Sequence, residues 1–141
     1  MTFDVARAQQ ALAEWFAPWV AELGLVVEEC RTGFVRVRQP HHPKFSRGIG
    51  GMSGQAIMAA IDTTMVLAVQ TTLAEERVIT TVSQTTSFLR PIGPVDALYE
   101  ITVVKAGRTL AFGTALVYEE HGRDKPAATA SLTYAILPPP G

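Results

Sequence analysis

Residues 48–74 read GIGGMSGQAIMAAIDTTMVLAVQTTLA, and the architecture turns on this stretch. Its only formal charge is Asp62. Ser53 belongs to the residue types that cap helix N-termini, and no proline interrupts the run from Gly54 to Leu73. The run is rich in Ala, Met, Ile and Leu, which predicts one helix of about five turns over residues 54–73. Its apolar residues fall on most sides rather than in one stripe, so the helix is expected to be buried all round. Hydroxyls and amides at Ser53, Gln55, Thr63, Thr64, Gln70, Thr71 and Thr72 argue against a membrane span. A lone carboxylate on such a helix is costly unless something pairs with it or uses it.

Upstream, the loop PHHPKFSRGIGG covers residues 40–51. Before it, residues 25–31 and 34–38 read as two strands around a turn at Thr32-Gly33. Earlier still, Val5, Ala8, Leu12, Trp15, Phe16, Trp19 and Leu23 recur at helical spacing. They predict an amphipathic helix over about residues 3–23, kinked or ended near Ala17 by Pro18.

Downstream of Glu75-Glu76 the period falls to two. Residues 78–89 are β-rich, with the hydroxyls of Thr81, Ser83, Thr85 and Ser87 expected on one face. Pro91 and Gly93-Pro94 end that run, and strands follow over residues 97–105, 110–118 and 128–136. The pattern is two strands, one buried helix and a meander of four strands. A sheet that must bury an apolar helix curls around it, which predicts an α+β hotdog architecture.

At 141 residues the chain is expected to form a single domain over 1–141, with its core in residues 25–137. A net charge of -1 supplies no field for nucleic acid or an anionic membrane, and neither is expected as a partner. Cys30 is the sole cysteine, so no intrachain disulfide can form. The first residues carry Asp4 and Glu14 and no signal-peptide core, so a cytoplasmic protein is expected. His41, His42 and His121 have no carboxylate or cysteine at ligand spacing, and no metal is expected. No phosphate loop, dinucleotide fingerprint or nucleophile elbow is present.

Three fragments taken together resemble the PaaI-type hotdog thioesterases, which hydrolyse acyl-CoA esters. GGMSGQAIMAAIDTTM resembles a branch with Gly-Gly-x-Ser-Gly before the central helix. Ser53-Gly54-Gln55 stands where the family motif has His-Gly-Gly, and Asp62 falls on the motif Asp. FLRPIGPVDALYEITVVKAGRTLAFGTALVY resembles the strand–Arg–Pro and Lys-x-Gly-Arg-x-Leu pattern. The likeness covers about residues 25–137. Ser53 replaces the motif His, and Arg47 stands where many relatives carry Asn.

The resemblance implies a thioester hydrolase that needs no cofactor beyond its CoA substrate. Asp62 is then general base or nucleophile, the Gly54 N–H the oxyanion donor with Gln55 beside it, and Thr81 an orienting hydroxyl. Arg47, Ser53, Gln55 and Met65 are implied on the substrate, and Arg90, Lys105 and Arg108 near the CoA nucleotide, where guanidinium suits phosphate. Met52, Ile57, Met58, Ile61 and Met65 are expected to wall an apolar or aryl acyl group. Gly54 and Asp62 lie eight residues apart, about 12 Å along one helix. Reacting groups must meet within about 3 Å of one carbonyl. The site is therefore expected to combine Gly54 of one protomer with Asp62 of another, in a homodimer or a tetramer built as a dimer of dimers. Two alternatives stay open: a hydratase or dehydratase, expected to need a His near the helix, and a non-catalytic acyl-CoA sensor.

Overall fold

The computed structural model describes residues 2–140. Asp4 caps the first helix, α1 (Val5–Glu14), by accepting from the Arg7 amide at 2.9 Å. Chain direction changes over residues 15–17, and a short α2 (Pro18–Ala21) starts on its proline. The helix expected over residues 3–23 is thus broken just before Pro18, near Ala17 as the proline suggested, because a pyrrolidine ring suits a first turn and not an interior. Strands β1 (Val26–Arg31) and β2 (Phe34–Gln39) form a hairpin at Gly33, whose φ of +79° favours glycine.

The central helix α3 (Gly54–Gln70) begins where expected. Ser53 accepts from the Ala56 amide at 3.1 Å, a cap that contributes about 1 kcal/mol. It ends three residues earlier than the sequence suggests. The Thr71 and Thr72 hydroxyls donate to the Ala68 and Val69 carbonyls, and Thr71 also accepts from the Gly33 amide at 2.8 Å. Those bonds satisfy the terminal carbonyls without another helical turn. Thr63 and Thr64 donate to the carbonyls of Ala59 and Ala60, so their hydroxyls are buried without cost.

Strands β3 (Ile79–Phe88), β4 (Ala97–Ala106), β5 (Leu110–Glu119) and β6 (Ala128–Ile136) complete one antiparallel sheet of order β1-β2-β4-β5-β6-β3. The expected four-strand meander holds only for β4-β5-β6. After α3 the chain enters the sheet beside β6, and residues 89–96 carry it back across to β2. The sheet wraps α3, and the architecture is the hotdog fold.

Two further corrections bear on the site. Helix α3 is not buried all round: Gln55 and Met58 are exposed, and Ala59, Asp62 and Val66 are half-buried. That stripe faces the β3 side, while Ile57, Ile61 and Met65 point into the sheet with Val35, Val37 and Ile101. Each such burial contributes about 1.5–3 kcal/mol. The hydroxyls of β3 do not share one face either. Thr81 pairs with Tyr134 but Ser83 pairs with Thr133, so Val82 is a bulge. The extra residue reverses the alternation beyond it, and Gln84, Thr86 and Phe88 take the inward face in place of Ser83, Thr85 and Ser87.

Candidate active site

Asp62 emerges on the half-buried stripe of α3, opposite β3. The Thr81 hydroxyl donates to Asp62 Oδ1 at 2.5 Å. Tyr134, across the β3–β6 ladder from Thr81, donates to the same Oδ1 and reaches the Asp62 carbonyl at 3.0 Å. Among the described residues Asp62 Oδ2 accepts nothing, so one carboxylate oxygen is anchored and the other is left for chemistry. Burial, reinforced by the adjacent carboxylate, pushes the Tyr134 phenol well above its ordinary range. It is therefore a fixed proton donor.

The bulge at Val82 sets this geometry. It lets Thr81 point at the helix and then re-phases the strand, which runs back along α3 toward its N-terminus. Gln84 reaches the Met58 carbonyl at 3.4 Å, and Phe88 packs on Gly54. A Cβ at Gly54 would stand 3.3 Å from the Phe88 ring. The Gly54 and Gln55 amides have no acceptor among the described residues, and they sit at the positive end of the helix. Within one chain they remain about 12 Å from Asp62.

The other expected site residues do not all gather here. Met65 is fully buried against Gly113 and does not line the cavity beside Asp62. Met52, Ile57 and Ile61 are also core, and Met58 is exposed, so none of the expected acyl wall borders Asp62's cavity. Ser53 is the helix cap, and its amide donates to the Phe45 carbonyl at 2.7 Å. Arg47 folds onto its own loop, with Nε 3.3 Å from the Gly50 carbonyl. Arg90 is exposed and bonds the Pro126 carbonyl at 3.1 Å, at the start of β6. Lys105 and Arg108 are exposed at the β4–β5 turn, where Thr109 meets Ile136 at the end of β6. Nine residues of strand separate those ends, about 30 Å. His41, His42 and His121 are exposed and stand apart from Asp62.

Asp62 opens into a cavity of about 640 Å³. Ala59, Thr63 and Val66 of α3 line one side, and Val78 to Thr81 line a second. Trp15, Phe16, Trp19 and Val20 of the N-terminal segment close a third. This wall and Tyr134 escape the sequence reading. A signal for Tyr134 existed: a tyrosine on the apolar inward face of β6 needs a partner for its hydroxyl, and the only charge on the facing helix is Asp62.

A paired and oriented carboxylate at the mouth of an apolar cavity, on a hotdog sheet, defines an acyl-transfer site. The chain belongs to the thioesterase superfamily, whose family model matches residues 50–125, more than half of its length. It is a thioester hydrolase. Among solved structures, a presumptive thioesterase of Silicibacter sp. is 27% identical over 96% of this chain and 93% of its own, with a TM-score of 0.85. A thioesterase of Haemophilus influenzae is 18% identical over 97% and 92%, with a TM-score of 0.85. A Streptococcus mutans protein solved with acetyl-CoA bound is 18% identical over 80% and 88%, with a TM-score of 0.73. No curated protein matches the chain. No helix among the described residues is long and apolar enough to cross a membrane.

Proposed function

We propose that the protein is a PaaI-type enzyme that hydrolyses small or medium, apolar or aryl acyl-CoA esters to the free acid and CoA in the cytoplasm. The observation that carries this reading is Asp62, held through Oδ1 by Thr81 and Tyr134 at the mouth of an apolar cavity. Oδ2 takes a proton from water as the water attacks the thioester carbonyl, or it attacks that carbonyl itself to give a mixed anhydride, which a water then hydrolyses to the acid and free Asp62. The oxyanion accepts from the Gly54 amide, and collapse breaks the C–S bond to release the CoA thiol, which takes up the proton. The acetyl-CoA held by the Streptococcus mutans neighbour supports CoA as the carrier.

Both halves of this machinery come together only across a dimer. Strand β3 is a ten-residue sheet edge, with Val82 57% and Phe88 50% exposed. A bare sheet edge of this length, with unpaired backbone groups and two exposed apolar side chains, invites a second copy. Isologous β3 pairing would lay two α3 helices antiparallel and bring Gly54 of one toward Asp62 of the other. It would also bring Arg90 toward the partner's β4–β5 turn, so that cations from opposite ends of the sheet serve one nucleotide. Leu110, Phe112 and Leu116, exposed on the outer face of β5, suit a further dimer-of-dimers contact.

The test is thiol release from a panel of acyl-CoA esters by the native protein and by Asp62→Asn, with mass in solution measured alongside. We expect turnover by the native protein and a loss of about 10² or more in the variant, the size of an acid–base group. Native turnover in a folded Asp62→Asn dimer would refute the assignment. A single turnover in H₂¹⁸O tests the covalent route: label found in Asp62 shows a mixed anhydride opened at the aspartyl carbon, which a general base cannot produce.

A further inference from the structure

We propose that Tyr99 and Gln39 are positioning residues for the oxyanion donor: their buried hydroxyl and amide clamp both ends of the loop that delivers Gly54 to the substrate. The proposal rests on the reading of the Gly54 amide as that donor.

Residues 40–52 form the loop between β2 and the α3 cap, and little packing holds them. Of the described residues from Pro40 to Gln55, Met52 alone is buried. Ile49 at the tip is 90% exposed, and Gly50 and Gly51 follow it with φ of +89° and +80°. The backbone there is shaped by glycine rather than by side-chain contacts. Main-chain bonds fix the last approach to the helix. The Met52 amide donates to the Ile92 carbonyl at 2.9 Å, and the Ser53 amide to the Phe45 carbonyl at 2.7 Å. Gly54 comes next, so the seat of Met52 decides where the Gly54 amide points.

Met52 is seated on Tyr99. The hydroxyl of the fully buried Tyr99 stands 3.7 Å from Met52 Sδ and donates to Gln39 Oε1 at 2.6 Å. Gln39 is the last residue of β2, where the loop leaves the sheet. One hydroxyl therefore touches the first and the last anchor of the loop. Burial pushes the Tyr99 phenol far above its ordinary range, so it stays a neutral donor.

Packing does not explain Gln39. Strand β2 turns Val35, Val37 and Gln39 inward, where a third apolar side chain would fill the core. Gln39 is instead 0% exposed, and its Nε2 has no partner among the described residues. A buried orphan donor costs stability, and such a group calls for an explanation. An apolar residue at this position would leave the Tyr99 hydroxyl with only a weak thioether acceptor. What the amide supplies is a fixed Tyr99 hydroxyl and, through it, a fixed Met52.

The test compares the native protein, Tyr99→Phe and Gln39→Leu/Tyr99→Phe on the best ester of the acyl-CoA panel. Tyr99→Phe should lower kcat about tenfold with KM little changed, because the oxyanion bond is made in the transition state. The double variant removes both polar partners, so it should melt higher than Tyr99→Phe and yet keep the low kcat. Recovery of kcat together with the melting temperature would mean that the pair only stabilises the core, and would overturn the proposal. Native kcat in Tyr99→Phe, or a loss confined to KM, would overturn it too. Should Tyr99→Phe fail to fold, the kcat of the double variant decides. Hydrogen exchange read by mass spectrometry is independent of turnover: in both variants residues 45–56 should exchange faster, with residues 57–70 unchanged. Native exchange in the loop, or faster exchange throughout α3, would refute the clamp. If the native protein cleaves no ester while the loop still loosens in the variants, the oxyanion reading fails and the clamp stands.

Discussion

The Tyr134 phenol and the Asp62 carboxylate meet between β6 and α3, and the same phenol reaches the Asp62 carbonyl at 3.0 Å. One side chain thus fixes both the backbone and the rotamer of the residue that faces the cavity. Thr81 shares the load on Oδ1, because the ladder places it directly opposite Tyr134.

Tyr134→Phe removes the donor and keeps the ring that packs the interior. A positioning role predicts a fall in kcat of about tenfold with KM little changed, since orientation acts on the transition state. Thr81→Val should behave alike, and the double variant should lose less than the product of the two because both bonds hold one oxygen. Steady-state kinetics on the four proteins checks this. Strictly multiplicative losses would show that the hydroxyls act independently.

The cross-protomer site predicts rescue between two inactive variants. Asp62→Asn lacks the carboxylate, and Gly54→Val drives a branched side chain into the Phe88 ring, which a bare Cβ would already approach to 3.3 Å. Random remixing makes half the dimers mixed, each with one intact site of two, so about a quarter of native activity should return. The measurement is thioester cleavage after joint refolding, with subunit exchange followed by mass spectrometry. Exchange without recovery would mean that each site is built within one chain.

Acid should loosen the aromatic wall before the core. Hydrogen bonds from Arg7 hold the Glu76 carboxyl below its ordinary range. A carboxyl depressed in the folded state stabilises it above the unfolded value, about 4.3, and that contribution fades as pH falls from there through the native value. Glu76→Gln should therefore melt lower than the native protein at pH 7, with the gap closing below about pH 4. Thermal melts across that range decide it. A gap that persists in acid would show that the pairing with Arg7 is not its source.

Gly113→Ala tests the seat of α3 on the sheet. A Cβ there would stand 2.7 Å from Met65 Cε and 2.9 Å from the Thr102 carbonyl. The methionine end can move, but the paired strand cannot. Overpacking of this kind costs about 1–3 kcal/mol, to be read from denaturant midpoints. A midpoint equal to that of the native protein would show that β4 and β5 separate freely at this level.

The sequence alone determined the elements and the catalytic candidate. Capping by Ser53, the proline-free apolar run behind it and the period-two strands after Glu76 are local signals, set by backbone chemistry and by alternation along a single element. Asp62 stood out for the same reason, as the one charge in an apolar run. Only the tertiary structure decided what surrounds it. Tyr134 lies 72 residues away and reaches Asp62 because β6 pairs with β3, a register set by strand pairing and invisible in either segment. The Val82 bulge, which turned Thr81 toward the helix and Ser83 away, likewise exists only between two strands. Met65 and Trp19 exchanged their expected places because burial is a property of the packed sheet: the sheet-facing side of α3 gives up Met65 to the core, and the uncovered stripe is left for rings from another part of the chain.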